Sequence, residues 1–334
     1  MATGMTRQGR LRPWFGVPLL AVCVLLVGGF PVAAQTPHYR VAVLTFSSAF
    51  NMTIEGIQEG LAQLGYHEEK NLSLLIEDAQ GEVSNLASRA ASIVEAKPDL
   101  IVAITTAATA AAQRATTTLP IVFTVVSDPL ASGFVASHAS SKNNLTGIAN
   151  HEISFSNKRL ALLQEIDAKI KRVLILVSTH ESVAQMSFQS LADVAPKLDF
   201  ELVRRDVANR AEIAQVLSTQ PQGSVDAIFQ PPSGLLTTNI DLLIQKAQED
   251  RIPLSVAGPS LVEKGALLSY GPDFRLLGVQ AAKLVDKLLQ GAKPAEMPIQ
   301  TPEKLFLALN LATARSIGLK LPFSVLERAD HLFE

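Results

Sequence analysis

Residues 40–65 read RVAVLTFSSAFNMTIEGIQEGLAQLG, and this stretch decides the fold. It begins with the apolar run 41–44 (VAVL), which is typical of a strand buried on both faces. The next apolar residues recur at spacings of three, four and three, as on one helix face: Ile54, Ile57, Leu61 and Leu64. Gly65 then supplies a residue that readily ends a helix in the left-handed conformation. The stretch therefore predicts a strand followed by a helix that packs on a parallel sheet.

The same alternation of apolar runs and helix-period segments continues along the chain and then restarts. In the first set, further strands are predicted at residues 72–76, 100–104, 121–126 and 145–149. In the second set, strands are predicted at residues 173–177, 201–203, 227–229, 253–256 and 266–270. Continuous apolar strands separated by helices predict parallel sheets that are covered on both faces. Two such sets predict an α/β fold with two doubly wound parallel-sheet lobes.

Composition excludes several classes of protein. The chain has 334 residues, of which 48% are hydrophobic and 18% charged, so it can bury a large core. The 29 basic and 31 acidic residues give a formal charge of −2, which disfavours a dedicated nucleic-acid binder. The single Cys23 excludes an internal disulfide and a cysteine-based zinc site. No phosphate-binding loop, dinucleotide fingerprint, G-x-S-x-G elbow or paired-histidine motif is present, so we predict no cofactor and no metal.

Residues 1–34 have the order of a secretory signal peptide. Arg7, Arg10 and Arg12 form a basic start, and a mostly apolar run follows over residues 14–30. The small residues of Val32-Ala33-Ala34 then precede Gln35, as at a signal-peptidase site. The alternatives are a retained membrane anchor and, less favoured because Val22 precedes Cys23, a lipoprotein. The segment predicts export to the periplasm.

Several segments of the mature chain resemble one known family. They are residues 60–66 (GLAQLGY), 99–103 (DLIVA), 120–123 (PIVF), 127–130 (SDPL), 144–147 (NLTG), 265–273 (GALLSYGPD), 291–295 (GAKPA) and 328–330 (RAD). They are similar to ABC-transporter substrate-binding proteins related to the tryptophan- and tyrosine-uptake binding proteins. The resemblance runs from about Arg40 to the end of the chain.

The resemblance implies a fold like that of type I periplasmic binding proteins, with a ligand cleft between two lobes. The chain would cross between the lobes near Asn150, Gly271 and Pro294. Lobe one would then hold residues 38–150 plus 271–294, and lobe two residues 151–270 plus 295–334. The family also implies a small-molecule ligand, a membrane permease of an ABC transporter as partner, and a monomer.

The chain departs from the pattern of many relatives at three strand ends. Where they carry an Asn-Pro turn, an Asp and a Thr-Pro pair, this chain has residues 178–182 (STHES), 230–234 (QPPSG) and 105–107 (TTA) respectively. These places belong to the predicted cleft. The resemblance therefore implies the fold but does not carry the ligand of the relatives to this chain.

Candidate ligand-binding residues follow the predicted strands, because ligands of open parallel sheets bind beyond the carboxyl ends of the strands. The polar candidates are Ser47, Ser48, Thr105, Thr106, Ser127, Asp128, Ser178, His180 and Ser233, and the apolar walls would include Phe50 and Tyr270, with Phe46 and Phe229 as further candidates. Thr105 and Thr106 are the strongest, since the alanine-rich helix after them would let a ligand carboxylate approach its N–H groups. The competing interpretations are helix capping for the hydroxyls, a turn for Asp128 and core packing for the aromatic residues.

We therefore expect an extracytoplasmic substrate-binding component of an ABC importer rather than an enzyme. It would trap a small polar or zwitterionic solute, an amino acid being one hypothesis, by closing two lobes about a hinge. The alternative is a secreted α/β enzyme with an unrecognised site. A DNA-binding regulator of the same two-lobe fold is disfavoured by the signal segment and by the lack of a DNA-binding extension.

Overall fold

The computed structural model describes residues 37–334, in which helices cover the faces of two β-sheets. The predicted signal peptide lies outside the described residues. No helix within residues 37–334 has the length and apolar character that crossing a membrane requires.

The first sheet is entirely parallel and holds the first half of the chain. Its strands are β1 (Tyr39–Thr45), β2 (Leu72–Asp78), β3 (Leu100–Ile104), β4 (Ile121–Val126) and β5 (Leu145–Ala149), in the order β2-β1-β3-β4-β5. The helices between them are α1 (Asn51–Gln63), α2 (Val83–Glu95) and α3 (Thr106–Ala115). Every residue of β3 and β5 is buried, as their unbroken apolar sequences predict.

The second sheet has seven strands and uses the rest of the chain. Its strands are β6 (Arg172–Ser178), β7 (Glu201–Val207), β8 (Ala227–Phe229), β9 (Leu254–Val256), β10 (Leu268–Gly271), β11 (Phe306–Asn310) and β12 (His331–Phe333). The order is β12-β11-β10-β9-β8-β6-β7. The pairing of β10 with β11 is antiparallel, so the predicted all-parallel pattern fails at this one pair.

Nine helices accompany the second half of the described chain. They are α4 (Glu152–Ile166), α5 (Ser182–Val194), α6 (Arg210–Thr219), α7 (Gly234–Thr238), α8 (Ile240–Asp250), α9 (Pro259–Glu263), α10 (Phe274–Leu289), α11 (Leu311–Ser316) and α12 (Phe323–Leu326). Of these, α10 packs on the first sheet beside α1 and not on the second.

Glycines allow α10 to lie directly against α1. A Cβ atom at Gly278 would lie 2.1 Å from the backbone oxygen of Thr53, and one at Gly56 would lie 1.9 Å from that of Arg275. Neither position can carry a side chain without moving the helices apart. The close packing fixes the start of α10, including Phe274, at the edge of the first sheet.

The chain passes between the two sheets three times. The passages follow β5, follow β10 and precede β11. Before the last passage, Met297 and Ile299 are still buried in the core of the first sheet, and Gln300 pairs with Ile148. These contacts favour a last passage between Gln300 and Phe306, later than the predicted crossing near Pro294. The predicted lobe limits as a whole stay a prediction.

Candidate functional site

A cavity of about 170 Å³ lies at the carboxyl ends of strands from both sheets. From the first half of the chain it is lined by Phe50, Thr105, Thr106, Ala107, Ala110, Val125 and Ser127. From the second half it is lined by Glu152, His180, Glu181, Ser182, Val183, Pro232, Ser233, Gly234, Thr237, Ala257 and Phe274. Its size suits a small molecule, and strand ends of parallel sheets are where such ligands bind.

The structure brings part of the predicted site together at this cavity. The predicted residues that line it are Phe50, Thr105, Thr106, Ser127, His180 and Ser233. The predicted residues outside its lining are Ser47, Ser48, Asp128, Ser178 and Tyr270. A ligand-binding role for the first group stays a prediction.

Two of the outlying residues have structural roles near the cavity. The Asp128 carboxylate accepts hydrogen bonds from the backbone N–H groups of Leu130 (3.0 Å) and Ala131 (2.9 Å), so it makes the turn that was its alternative interpretation. Ser47 caps the short 3₁₀ turn that follows β1, where its Oγ accepts from the Ala49 N–H at 3.3 Å.

The other outlying residues have different surroundings. Tyr270 packs edge-on against Phe155, with ring centroids 6.1 Å apart, and therefore belongs to the second core. Ser178 is buried at the end of β6 with 1% of its surface exposed, and its hydroxyl acts on the Glu181 carboxylate, which lines the cavity. Ser48 is exposed and lines a separate surface pocket beside α7 and α8.

The start of α3 forms one wall of the cavity. Thr105 is its N-cap, and the Thr105 Oγ1 accepts a hydrogen bond from the Ala108 N–H at 3.3 Å. Thr106 and Ala107, whose N–H groups have no partner within a helix, lie at the cavity. The first turn of α3 contains no acidic side chain. This wall can therefore receive a ligand carboxylate through backbone N–H groups and the helix dipole.

The backbone is strained at two β-branched residues that line the cavity. Thr105 has φ +93° and Val125 has φ +55°, both in a region that β-branched residues rarely adopt. Val125 lies where the pairing of β4 with β5 shifts register between Phe123 and Val126. Such strain costs about 1–3 kcal/mol per residue and clusters at ligand sites.

Glu152 brings a buried carboxylate to the cavity from the first turn of α4. Only 7% of its surface is exposed, and its Oε1 accepts a hydrogen bond from Asn150 Nδ2 at 3.3 Å. Burial raises the pKa of Glu152, and the charge of Arg159, two turns further along α4, opposes this rise. The sequence did not point to Glu152, since it follows no strand directly.

Arg159, on the same helix as Glu152, is itself almost fully buried, with 1% of its surface exposed. Its guanidinium lies 4.5 Å from the ring centroid of Phe229 and donates to the backbone oxygen of Gln230 (3.0 Å) and to Ser156 Oγ (3.1 Å). Burial lowers the pKa of Arg159 to about 10, which still leaves it charged at neutral pH. The positive charge therefore partly compensates the carboxylate of Glu152.

Glu181 brings a second carboxylate from the loop before α5. It accepts hydrogen bonds from the hydroxyl of Ser233 and from the Gly234 N–H, the latter at 2.7 Å. Burial raises the pKa of Glu181, while these hydrogen bonds oppose the rise. Its loop is one of the places where the sequence departs from its relatives, which is the signal that could have selected Glu181.

Three contacts join the two halves of the chain beside the cavity. Ser47 Oγ lies 2.7 Å from Thr238 Oγ1, so the two hydroxyls share a hydrogen bond. The Thr238 methyl group packs on Gly81, where an added Cβ would lie 3.1 Å from it. The ring of Phe46 packs on Gly234, where an added Cβ would lie 3.0 Å from Cδ1. We call these contacts of α7 with the loops after β1 and β2 the α7 clasp.

The cavity lining has the composition of a binding site for a small organic molecule. It combines apolar walls with two carboxylates, hydroxyls and a helix N-terminus. Within residues 37–334, no group of three or more histidine, cysteine or acidic side chains is placed to hold a metal ion.

Comparison with known families assigns the chain to one of them. The model of the family described as "ABC transporter substrate binding protein" matches residues 40–333. The chain belongs to this family. Members are the substrate-binding components of transporters, so the predicted family and function are confirmed, and the alternative of a secreted enzyme is left without support.

Individual relatives of this substrate-binding protein agree with the family assignment. A "Tyrosine-binding protein" of Clostridioides difficile is 28% identical over 266 residues, which cover 80% of this chain and 76% of the relative. A structure from Streptococcus pneumoniae, described as an ABC domain in complex with L-Trp, has 26% identity and a TM-score of 0.83. It covers 89% of this chain and 100% of the solved chain. The predicted two-lobe fold is confirmed.

The relatives also indicate the conformation of this substrate-binding protein. A solved structure from C. difficile, described as a ligand-free, open substrate-binding protein, matches 88% of this chain and 99% of the solved chain. It is also 26% identical, yet its TM-score is 0.64, below that of the L-Trp complex. The described conformation is therefore more similar to the relative with bound L-Trp than to the ligand-free, open one.

Proposed function

We propose that the chain is the periplasmic receptor of an ABC importer and that it binds a small zwitterionic solute, an amino acid, in the cavity. The observation that carries the proposal is the pairing of opposite charges across the cavity. The start of α3 offers N–H groups without an acidic neighbour, and Glu152 offers a buried carboxylate. A ligand carboxylate and a ligand ammonium would each meet a complementary group.

The apolar walls would receive the side chain of the amino acid. Phe50, Phe274 and Val183 lie at the cavity, and the small Ala107 and Ala110 leave room beside α3. The relatives named for tyrosine and for bound L-Trp support an amino acid as the class of ligand. Among the sequence-predicted residues, we propose Phe50, Thr105, Thr106, Ser127, His180 and Ser233 as ligand contacts.

Transport requires a partner and a location that follow from the family. The signal peptide of residues 1–34 would deliver the protein to the periplasm as a monomer. Ligand contacts with both lobes would shift the population toward the closed form, which then docks on the membrane permease. We propose lobe limits at the three passages described above.

A thermal-shift screen tests the ligand class. The protein is first stripped of bound ligand by unfolding and refolding, and is then titrated with amino acids, small carboxylates, sugars, purines and polyamines. An amino acid at about 100 times its Kd adds about 2.7 kcal/mol to the free energy of unfolding and raises the Tm by several degrees. Saturable binding of another class, with none by amino acids, contradicts the proposal.

A cavity-filling variant tests the location. Ala110→Leu places a larger side chain at the cavity wall and is expected to abolish the shift produced by the amino acid. Ala115→Leu is the matched control, because Ala115 lies on the same helix but is exposed. Equal binding by both variants would place the ligand elsewhere.

A further inference from the structure

We propose that the ligand carries a second positive charge, on its side chain, and that Glu181 receives it. The class of ligand is then a basic amino acid, with a primary amine or a guanidinium at the end of an apolar stem. This inference rests on the proposed function, because it assigns a second subsite in the same cavity.

The first argument is the charge inventory of the cavity. Its lining contains two carboxylates, Glu152 and Glu181, and the imidazole of His180. No lysine or arginine side chain is among the lining residues that the structure describes. Neither carboxylate forms an ion pair within 4 Å in residues 37–334. The cavity therefore has more negative than positive side-chain charge.

The second argument is that the two carboxylates are not equivalent. The nearby charge of Arg159 favours ionisation of Glu152, whereas no arginine, lysine or histidine contributes in this way at Glu181. Glu181 has only dipoles beside it: the hydroxyls of Ser178 and Ser233 and the N–H groups at the start of α7. Glu181 is half-buried, and charges removed from water are normally paired, so a ligand can supply the cation that this carboxylate lacks.

The third argument is that capping does not require a charge at this position. Ser233 already caps α7, since its Oγ accepts from the Leu236 N–H at 3.1 Å. A neutral glutamine at position 181 could accept the Gly234 N–H with its amide oxygen and donate its NH2 group to the Ser233 hydroxyl, so the capping contacts alone do not require a charge. A glutamate facing a ligand cavity is accounted for when the ligand brings the opposite charge.

The walls between the charged groups suit the stem of a basic side chain. Val183 and Phe274 line the same cavity as Glu181, and Thr105 and Thr106 lie at the start of α3. Methylene groups of lysine-like side chains pack on apolar surface while the charged end reaches a polar group. The cavity volume of about 170 Å³ restricts the ligand to a single small molecule.

The test compares lysine with norleucine, which has the same stem and α-groups but lacks the terminal amine. Calorimetric titration of the refolded protein also includes ornithine, arginine, tyrosine and tryptophan. We expect lysine, ornithine or arginine to bind about tenfold or more tightly than norleucine, because a charge-assisted hydrogen bond is gained. Norleucine, tyrosine or tryptophan binding as tightly as the best basic amino acid would overturn the inference.

The variant Glu181→Gln tests whether Glu181 is responsible for the preference for basic amino acids. The variant is expected to bind the basic amino acid no more tightly than norleucine, while the Kd for norleucine stays within about twofold. Glu201→Gln is the control, since Glu201 is exposed on β7 and the change removes one negative charge away from the cavity. Equal weakening of both ligands by Glu181→Gln would overturn the inference. If the variant does not fold, the wild-type comparison of lysine with norleucine still decides.

The same titrations separate this inference from the proposed function. If neutral amino acids bind saturably and basic ones are not preferred, the inference of a second positive charge on the ligand is refuted. The proposed amino-acid site is then still supported. Absence of saturable binding by every amino acid refutes both.

Discussion

The α7 clasp predicts that a residue outside the cavity controls ligand affinity. Thr238→Val removes the hydroxyl that bonds to Ser47 Oγ at 2.7 Å but keeps a methyl group to pack on Gly81. Since Ser47 and Thr238 belong to different halves of the chain, we expect this hydrogen bond to form when the cleft closes. The substitution therefore destabilises the closed form relative to the open one.

The size of the effect follows from the contact that is lost. A neutral hydrogen bond contributes about 1 kcal/mol net, which is a factor of about five in the closed-to-open equilibrium constant. The apparent Kd rises in proportion as the competent fraction falls, provided that the open form predominates without ligand. The ligand-free relative from C. difficile is open. We expect the Kd to rise about fivefold.

Calorimetry gives the Kd, and small-angle scattering gives the radius of gyration with and without ligand. Thr219→Val is a closely matched control. Thr219 Oγ1 donates to the backbone oxygen four residues earlier, Gln215, at 2.8 Å, as Thr238 Oγ1 does to that of Gly234. Thr219 lies at the exposed end of α6 and makes no contact across the cleft. Its variant should bind ligand like the wild type.

Two results would refute the reasoning about the clasp. One is an unchanged Kd for Thr238→Val, which would mean that the hydroxyl contact does not contribute to closure. The other is a similar rise for both valine variants, which would attribute the effect to loss of a hydroxyl within a helix. If the Kd rises while the radius of gyration of the ligand-saturated protein is unchanged, the result supports a role of the α7 clasp in closure.

Three further predictions concern stability and titration. Gly278→Ala places a methyl group 2.1 Å from the Thr53 backbone oxygen, and we expect urea titration to show a loss of about 1–3 kcal/mol or more. Burial and the hydrogen bond to Asp286 raise the pKa of Tyr66 to about 12, so absorbance titration should show a tyrosine ionising near there, absent in Tyr66→Phe. Burial raises the folded pKa of Glu181 above its ordinary 4.5, so its contribution to stability is present below that pH and lost as pH rises through the folded pKa. Glu181→Gln should flatten this fall in urea titrations of ligand-free protein across pH.

The parallel part of the fold could be predicted from the sequence because strands buried on both faces appear as unbroken apolar runs. The run at residues 41–44 and the helix period after it correspond to β1 and α1. The direction of β11 could not be predicted in this way. Phe306–Asn310 is buried throughout, and an apolar run of this kind looks the same whether its neighbour is parallel or antiparallel.

The expectation that ligands bind beyond the carboxyl ends of strands identified only one kind of cavity residue. It selected Thr105, Ser127 and Ser233, which directly follow strands or cap the next helix. Glu152 begins a helix after a passage between the sheets, and the charge of Arg159, which packs on Phe229 from another strand, acts on it only in the folded chain. Such an arrangement is a property of the packed structure, and no local pattern of the sequence encodes it.

The short helix α7 lies between the proposed charge subsite at Glu181 and the contact of Thr238 with Ser47. Its first residue, Gly234, donates its N–H to the Glu181 carboxylate, and its last residue, Thr238, bonds to Ser47 across the cleft. The Thr238 hydroxyl also donates to the Gly234 backbone oxygen at 2.8 Å, so the two ends of α7 are joined through one turn. A ligand group bound to the Glu181 carboxylate would therefore lie one helical turn from the hydrogen bond between Thr238 and Ser47. If Glu181 receives the ligand cation and the Ser47 contact stabilises the closed form, recognition and closure share this one turn of helix.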